Sequence, residues 1–297
     1  MFLNNLRASL PNTKIEEQVS LSPLSTLGIG GKAEVFAEPR SIKDVQDFIR
    51  GIKDSPVYVL GGGSNVIISD GIINGVVVST RKLNSIRWLD DFTAEIQAGC
   101  NLTAIIKNLR EKNLGGLEFA AGIPGTLGGA VCGNAGAGGH GVCELILEVT
   151  GVDYWGNLKT YSPEDFVFSY RKCSLAEGKI IIASVKMKFH EGFSEEEFER
   201  FLSLRKNQPV KSKSAGCTFK NPEDFSAGRL LDECGCKNMS VGDAVVSDIH
   251  ANFILNRGNA TKNDVIELIK LCGRKVYDST GIRLEQEIRI FSPCFYV

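Results

Sequence analysis

The chain has 297 residues, with 34 Lys and Arg against 35 Asp and Glu, a formal charge of -1. That balance excludes bulk electrostatic attraction to nucleic acid or to an anionic membrane, so any phosphate recognition must be local. The length allows two or three domains, each with its own core, and no run approaches the roughly 18 apolar residues of a membrane span.

The N-terminal "MFLNNLRASLPNTKIEEQ" lacks the apolar centre of a secretory signal, which predicts a cytoplasmic protein with no membrane insertion. In chain order, Ser41 and Asp44 open "SIKDVQDFIR", an amphipathic helix with a capping residue at its start. β-prone runs follow at 57–60 ("VYVL"), 65–69 ("NVIIS"), 75–79 ("GVVVS") and 95–99 ("EIQAG"). Asn101 opens "NLTAIIKNLREKN", which sets Leu102, Ile105, Ile106 and Leu109 on one helical face. A strand is predicted over 179–189 ("KIIIASVKMKF") and a helix after Ser194, with Glu197 at capping-box spacing. Thr261 precedes Val265, Leu268, Ile269 and Cys272 at helical spacing, and "EIRIF" at 287–291 is the last strand candidate. The pattern is mixed α and β, without internal repeats or low-complexity linkers.

The nine cysteines are odd in number and scattered, with no C-x-x-C. Cys234 and Cys236 form a C-x-C, but no second close pair follows and His140, His190 and His250 lie far apart. Free thiols in a reducing compartment, with no metal site, are expected.

Glycine is concentrated in two places. "VYVLGGGSNVIISDG" at 57–71 is a strand, a glycine loop and another strand, so it is not the Rossmann fingerprint, in which the loop opens a helix. It can form an anion nest with Ser64 and Asn65 as added donors, or a plain hairpin turn. "AAGIPGTLGGAVCGNAGAGGHG" at 120–141 holds nine glycines. Ordering so permissive a backbone costs conformational entropy, which a bound extended cofactor would offset, with Thr126 and Asn134 as polar anchors. A tightly wound surface loop is the other reading. A third stretch, "KSKSAGCTFKNP" at 211–222, sets Cys217 among small residues between Lys213 and Lys220. It is either a reactive thiol, its pKa lowered by converging ammonium groups, or a tight turn.

Six blocks, "STLGIGGKAEVFAEP", "VLGGGSNVIISDG", "GIPGTLGGAVCGNAGAGG", "FSYRKCS", "SAGCTFKNP" and "EQEIRI", stand in the order found in the UDP-N-acetylenolpyruvoylglucosamine reductase (MurB) family of flavoenzymes. The chain resembles that family over residues 20 to 291, in its shorter form. The resemblance implies an α+β FAD-binding fold of the PCMH or vanillyl-alcohol-oxidase type, made of two subdomains, plus an α/β substrate-binding domain. Its boundaries are expected at 1–80, 81–192 and 193–280, with 281–297 returning to the flavin region.

The family activity is reduction of UDP-N-acetylglucosamine enolpyruvate to UDP-N-acetylmuramate, a step toward peptidoglycan, with FAD as cofactor and NADPH as hydride donor. By resemblance, hydride goes to C3 and a proton to C2. Arg171 is the substrate-activating arginine, Cys217 the proton donor and Glu287 the catalytic glutamate. Serine is common at the position of Cys217, and a cysteine occurs in other members. FAD contacts are expected from Gly61, Gly62, Gly63, Ser64 and Asn65 in the first loop. In the second they are expected from Gly122, Ile123, Pro124, Gly125, Thr126, Gly129, Asn134 and Gly136. Tyr170, Arg205, Gln208, Lys220 and Asn221 are expected on the substrate side, and no nucleic acid or obligate protein partner is implied. A face shared by Glu285, Glu287, Arg289 and Phe291 on one strand leaves a solvated Glu–Arg pair as the ordinary reading of that segment. Two other functions stay open: a PCMH-type oxidase of a sugar or alcohol, and a non-enzymatic UDP-sugar or nucleotide-binding module.

Overall fold

The computed structural model describes residues 2–52 and 55–297. The helices form where an apolar stripe follows a capping side chain. Ser41 accepts from the Asp44 N–H and opens helix Ile42–Gly51, which buries Val45, Phe48 and Ile49. Asn101 caps helix Leu102–Glu111 through the Thr103 N–H, and the predicted stripe of Leu102, Ile105, Ile106 and Leu109 is buried. Ser194 accepts from the Glu197 N–H at the start of helix Glu195–Leu204. Thr261 and Asp264 form a reciprocal capping box on helix Lys262–Thr280, which stops at Gly281 in the left-handed region, φ 74°.

The strands form three main sheets. The first runs Lys14–Ser20, Lys32–Glu38, Ile72–Ser79, Pro56–Leu60 and Phe295–Tyr296, with parallel pairing in its centre. The second is antiparallel throughout: Leu158–Tyr161, Ile146–Asp153, Ile180–Lys188, Thr93–Gln97 and Ile86–Trp88. The third runs Ser214–Cys217, Phe253–Asn256, Ala244–Val246 and Ser240–Val241. One core joins the first two sheets, setting Val57 and Val78 against Val152, Ile181 and Ala183. Helix Glu195–Leu204 packs Phe201 into the core of the second sheet, whereas helix Lys262–Thr280 covers the third. Leu27, Ile29, Ile67 and Ile288 also enter the third core, tying that unit to the first.

Two predicted strands are shorter than expected. Only Val66–Ile67 and Arg289–Ile290 pair, in parallel. The reason is that segment 285–291 changes partners along its length. Lys220 N–H donates to the Glu285 carbonyl and Glu287 N–H to Thr218, whereas Arg289 and Phe291 N–H donate to Asn65 and Ile67. Four residues of continuous ladder never accumulate on one side. The second glycine stretch contains a helix, Leu127–Cys132, that apolar periodicity did not announce. A Cβ at Gly128 would lie 2.9 Å from the Ala98 Cβ, so glycine there permits close helix-to-strand packing. All nine cysteines are free thiols. No helix among the described residues is long and apolar enough to cross a membrane.

Candidate active site

Three segments distant in sequence converge where the sheets meet. The first is a tight hairpin, Phe168–Ser169 against Lys172–Cys173, with Tyr170 and Arg171 at its tip. Arg171 is held at φ 57°, a left-handed conformation that costs free energy in a side-chain-bearing residue and persists only where surroundings enforce it. Its Nε lies 2.8 Å from Glu287 Oε1, and its guanidinium carbon lies 5.0 Å from the centre of the Tyr170 ring. The contact is a partly buried ion pair between the guanidinium and the Glu287 carboxylate. The alternative reading, a solvated Glu–Arg pair along one strand, is not what forms: Glu287 pairs with Arg171, and Arg289 donates to the Cys132 carbonyl at 2.8 Å.

The second segment is strand Ser214–Cys217. Gly216 sits at φ 79°, which turns the chain so that Cys217 stands beside the Arg171–Glu287 pair. Burial, first, and the Glu287 carboxylate, second, push the Cys217 thiol up to about 11, whereas Arg171 and Arg205 pull the other way. The residue keeps partial exposure as a whole, but its sulfur is enclosed, and enclosure decides the sign. The lysines adjacent in sequence do not govern it. Lys220 Nζ is 2.6 Å from Glu285, and a Cβ at Gly28 would meet the Lys213 stem at 2.9 Å.

Glu287, the third member, has its carboxyl raised by burial, opposed by Arg171, Lys220 and Arg205. Arg205 completes the cluster. Its pKa is lowered by burial, and its charge acts on Cys217, Arg171 and Glu287. Among the described residues its side-chain hydrogen bonds are long, 3.4 Å to the Ala121 carbonyl and 3.5 Å to Gln208 Oε1. Asn221 donates its N–H to the Tyr170 hydroxyl at 3.5 Å and uses Oδ1 to hold the Ala227 N–H at 3.0 Å. Two clefts lie in the described structure, and neither is lined by Arg171, Arg205, Cys217 or Glu287. One, about 500 Å³, includes Arg229, Asp232 and His250. The imidazole of His250 has its pKa lowered by burial and accepts at Nδ1 from the Asn252 N–H, 3.2 Å, both of which favour the neutral ring.

The two glycine loops lock together. A Cβ at Gly62 would lie 2.7 Å from Gly125 Cα, and one at Gly125 would lie 2.8 Å from Ser64 Oγ. Ser64 Oγ donates to the Pro124 carbonyl at 3.1 Å. Behind them Arg81, which the sequence did not single out, donates to the carbonyls of Gly61 (2.9 Å), Gly62 (3.0 Å) and Leu24 (2.6 Å). Gly62, Arg81, Asn101 and Thr126 line the second cleft, about 420 Å³. Thr126 Oγ1 is buried there with no partner, a donor and acceptor left for a ligand. Close backbone approach, a cleft and an orphaned hydroxyl fit an extended dinucleotide such as FAD.

Other residues of these loops have work within the protein. Asn134 donates to the Ser169 carbonyl and accepts from the Cys143 N–H, bracing the Arg171 hairpin, and each end of its amide keeps one further bonding position. A Cβ at Gly136 would lie 1.8 Å from the His140 carbonyl, so the turn itself demands glycine. Gly122, φ 71°, presses on the Arg205 stem, whereas Gly129 meets nothing closer than 3.7 Å. Replacing Gly62 or Gly125 by Val is expected to lower the flavin-to-protein ratio of the purified chain by more than half, because the branched side chain forces the loops apart. Full flavin occupancy in both folded variants removes the loops from the cofactor site.

A family model described as "UDP-N-acetylenolpyruvoylglucosamine reductase, C-terminal domain" matches residues 208–291, which carry Cys217 and Glu287. One described as "FAD binding domain" matches residues 33–162, which carry both glycine loops. The UDP-N-acetylenolpyruvoylglucosamine reductase of Heliobacterium modesticaldum is 38% identical, over 92% of this chain and 90% of its own. That of Prochlorococcus marinus is 36% identical over 93% and 97%. This chain belongs to the UDP-N-acetylenolpyruvoylglucosamine reductase family. The crystal structure of the Thermus caldophilus family member superposes with a TM-score of 0.79 at 34% identity, covering 94% of this chain and 99% of that one. The fold is accordingly the α+β, PCMH-type FAD-binding fold with its added α/β domain.

Proposed function

We propose that this chain is an FAD-dependent oxidoreductase that uses NADPH to reduce UDP-N-acetylglucosamine enolpyruvate to UDP-N-acetylmuramate. The observation that carries the reading is the convergence of Arg171, Glu287 and a thiol held in its protonated form. FAD, when bound, supplies hydride to C3 of the enolpyruvyl group, having received it from NADPH.

The chain's own residues manage the charge and the proton. As hydride arrives at C3, negative charge develops on C2 and its carboxylate. Arg171, permanently charged, binds the carboxylate and stabilises that charge. Glu287 fixes the guanidinium in place. Cys217, with its pKa near 11, carries a proton at neutral pH and remains a far stronger acid than a serine hydroxyl, so it can deliver that proton to C2. Arg205, whose side-chain hydrogen bonds are long, is the second cation available to the carboxylate or diphosphate, and Tyr170, Gln208, Lys220 and Asn221 are the further residues proposed for the substrate side.

The assay is NADPH oxidation by the flavin-loaded chain with and without the enolpyruvyl substrate. Substrate-dependent oxidation is expected. Flavin reduction that is relieved only by oxygen points to an oxidase and removes the proposed substrate.

A further inference from the structure

Cys217 and Glu287 lie on separate segments, and their spacing is set by what holds residues 218–220 between them. Strand Ser214–Cys217 pairs with Phe253–Asn256 at Ser214 with Leu255 and at Cys217 with Phe253, so three residues span the length of two and the ladder is irregular just before the thiol. Beyond Cys217 the backbone makes one more bond toward that strand, and then a side chain takes over. Thr218 N–H donates to the Asn252 carbonyl at 2.7 Å. The Asn252 side chain then accepts from the Phe219 N–H at Oδ1, 2.8 Å, and donates from Nδ2 to the Phe219 carbonyl, also 2.8 Å. On the far side of the same segment the Thr218 carbonyl accepts from Glu287 N–H, 2.8 Å, and Lys220 N–H donates to Glu285, 2.8 Å.

Asn252 is 2% exposed. A buried amide that meets one peptide's donor and acceptor together imitates a strand neighbour, and its loss leaves two backbone groups unpaired without water. Its length and its paired donor and acceptor are both required. Alanine supplies neither group, and an ionised aspartate keeps the acceptor while turning negative charge on the Phe219 carbonyl.

We infer that Asn252 is a positioning residue for proton delivery: it clamps residues 218–220 so that the Cys217 thiol and the Glu287 carboxylate stand in register across one site. The inference rests on the proposed function, since it concerns the step that consumes the Cys217 proton. The reduction of flavin by NADPH does not use that step.

The test compares wild type, Asn252→Ala and Asn252→Asp as flavin-loaded protein, following each half-reaction by stopped-flow absorbance across pH. In Asn252→Ala, reoxidation by the enolpyruvyl substrate at saturation is expected to slow about 10–100-fold, the scale of a misplaced reacting group, with reduction by NADPH within about twofold of wild type. In Asn252→Asp, burial raises the new carboxyl, and its protonated form restores the donor to Phe219. Reoxidation is therefore expected near wild type at low pH and at least about tenfold slower once the carboxyl ionises. His250, Cys217 and Glu287 face this region and Lys220 and Glu285 flank it in both proteins, so the added limb is read as a difference from wild type.

Reoxidation at the wild-type rate and pH profile in both variants overturns the inference. Equal losses in both half-reactions overturn it too, by making Asn252 a general structural residue. If Asn252→Ala fails to fold, the profile of the nearly isosteric Asn252→Asp decides alone, and failure of both to fold makes the residue a folding determinant and rejects the positioning role. A wild type that the substrate cannot reoxidise sinks the proposed function and this inference with it. A wild type that turns over beside unchanged variants sinks this inference only.

Discussion

Cys217→Ala is expected to leave reduction of the bound flavin by NADPH unchanged and to slow its reoxidation by the enolpyruvyl substrate by about 10²–10⁴-fold, the range for loss of a positioned acid. The separation follows from where the proton is used. Hydride transfer from NADPH does not require a proton at C2, whereas completion of the reduced ether does. Cys217→Ser is expected to recover much of the lost rate, since a hydroxyl can occupy the same place. The thiol also predicts a pH signature. Its pKa is raised to about 11, so it stays protonated through the neutral range and the wild-type reoxidation rate falls only as pH rises through that value. Cys217→Ser shifts that limb beyond the measurable range. A wild-type rate in Cys217→Ala at saturating substrate removes the donor role, and equal losses in the two half-reactions assign the cysteine to flavin geometry instead.

The direction of that pKa is the clearest case of what the sequence could not convey. Lys213 and Lys220, close along the chain, point to a lowered value. In the fold Lys213 packs against Gly28 and Lys220 pairs with Glu285, leaving burial and Glu287 to raise it. Helices behaved differently. Ser41, Asn101 and Thr261 cap helices whose apolar stripes are local patterns, and local patterns survive without knowledge of the fold. The glycine loops were visible as composition, but their contact was not: Gly62 and Gly125 meet because each lacks a side chain, and an absent side chain carries no pairing signal. Arg81 and Asn252 were missed for a related reason. Each works by bonding to backbone carbonyls or amides far away in sequence, where the partner's identity leaves no mark.

The Arg171–Glu287 pair separates activity from stability. Arg171→Ala is expected to slow reoxidation by about 10²–10³-fold, the scale for removing a preorganised charge from a developing anion, with NADPH reduction of the flavin preserved. Arg171→Lys recovers little of it, because an ammonium cannot reproduce the planar, two-sided contact. Glu287→Gln is expected to lose about as much activity as Arg171→Ala while keeping its fold and flavin. The reason lies in the sign of the Glu287 shift. Burial raises this carboxyl even with Arg171 beside it, so the folded state favours the protonated form more than the unfolded chain does. Its contribution to stability is fully present below the unfolded pKa and is lost as pH rises through the folded one. Once the carboxyl ionises its burial therefore opposes folding, and a neutral amide of the same shape removes that opposition while leaving Arg171 without its charged partner. Melting temperature measured against pH is expected to show Glu287→Gln level with wild type in acid and at or above it near neutrality. A variant that melts well below wild type only near neutrality reverses the sign and makes the ion pair a stabilising contact, and one that reoxidises at the wild-type rate removes Glu287 from the reaction. Retained stability with lost reoxidation is the combination expected of a carboxylate kept in a buried place for what it does to Arg171.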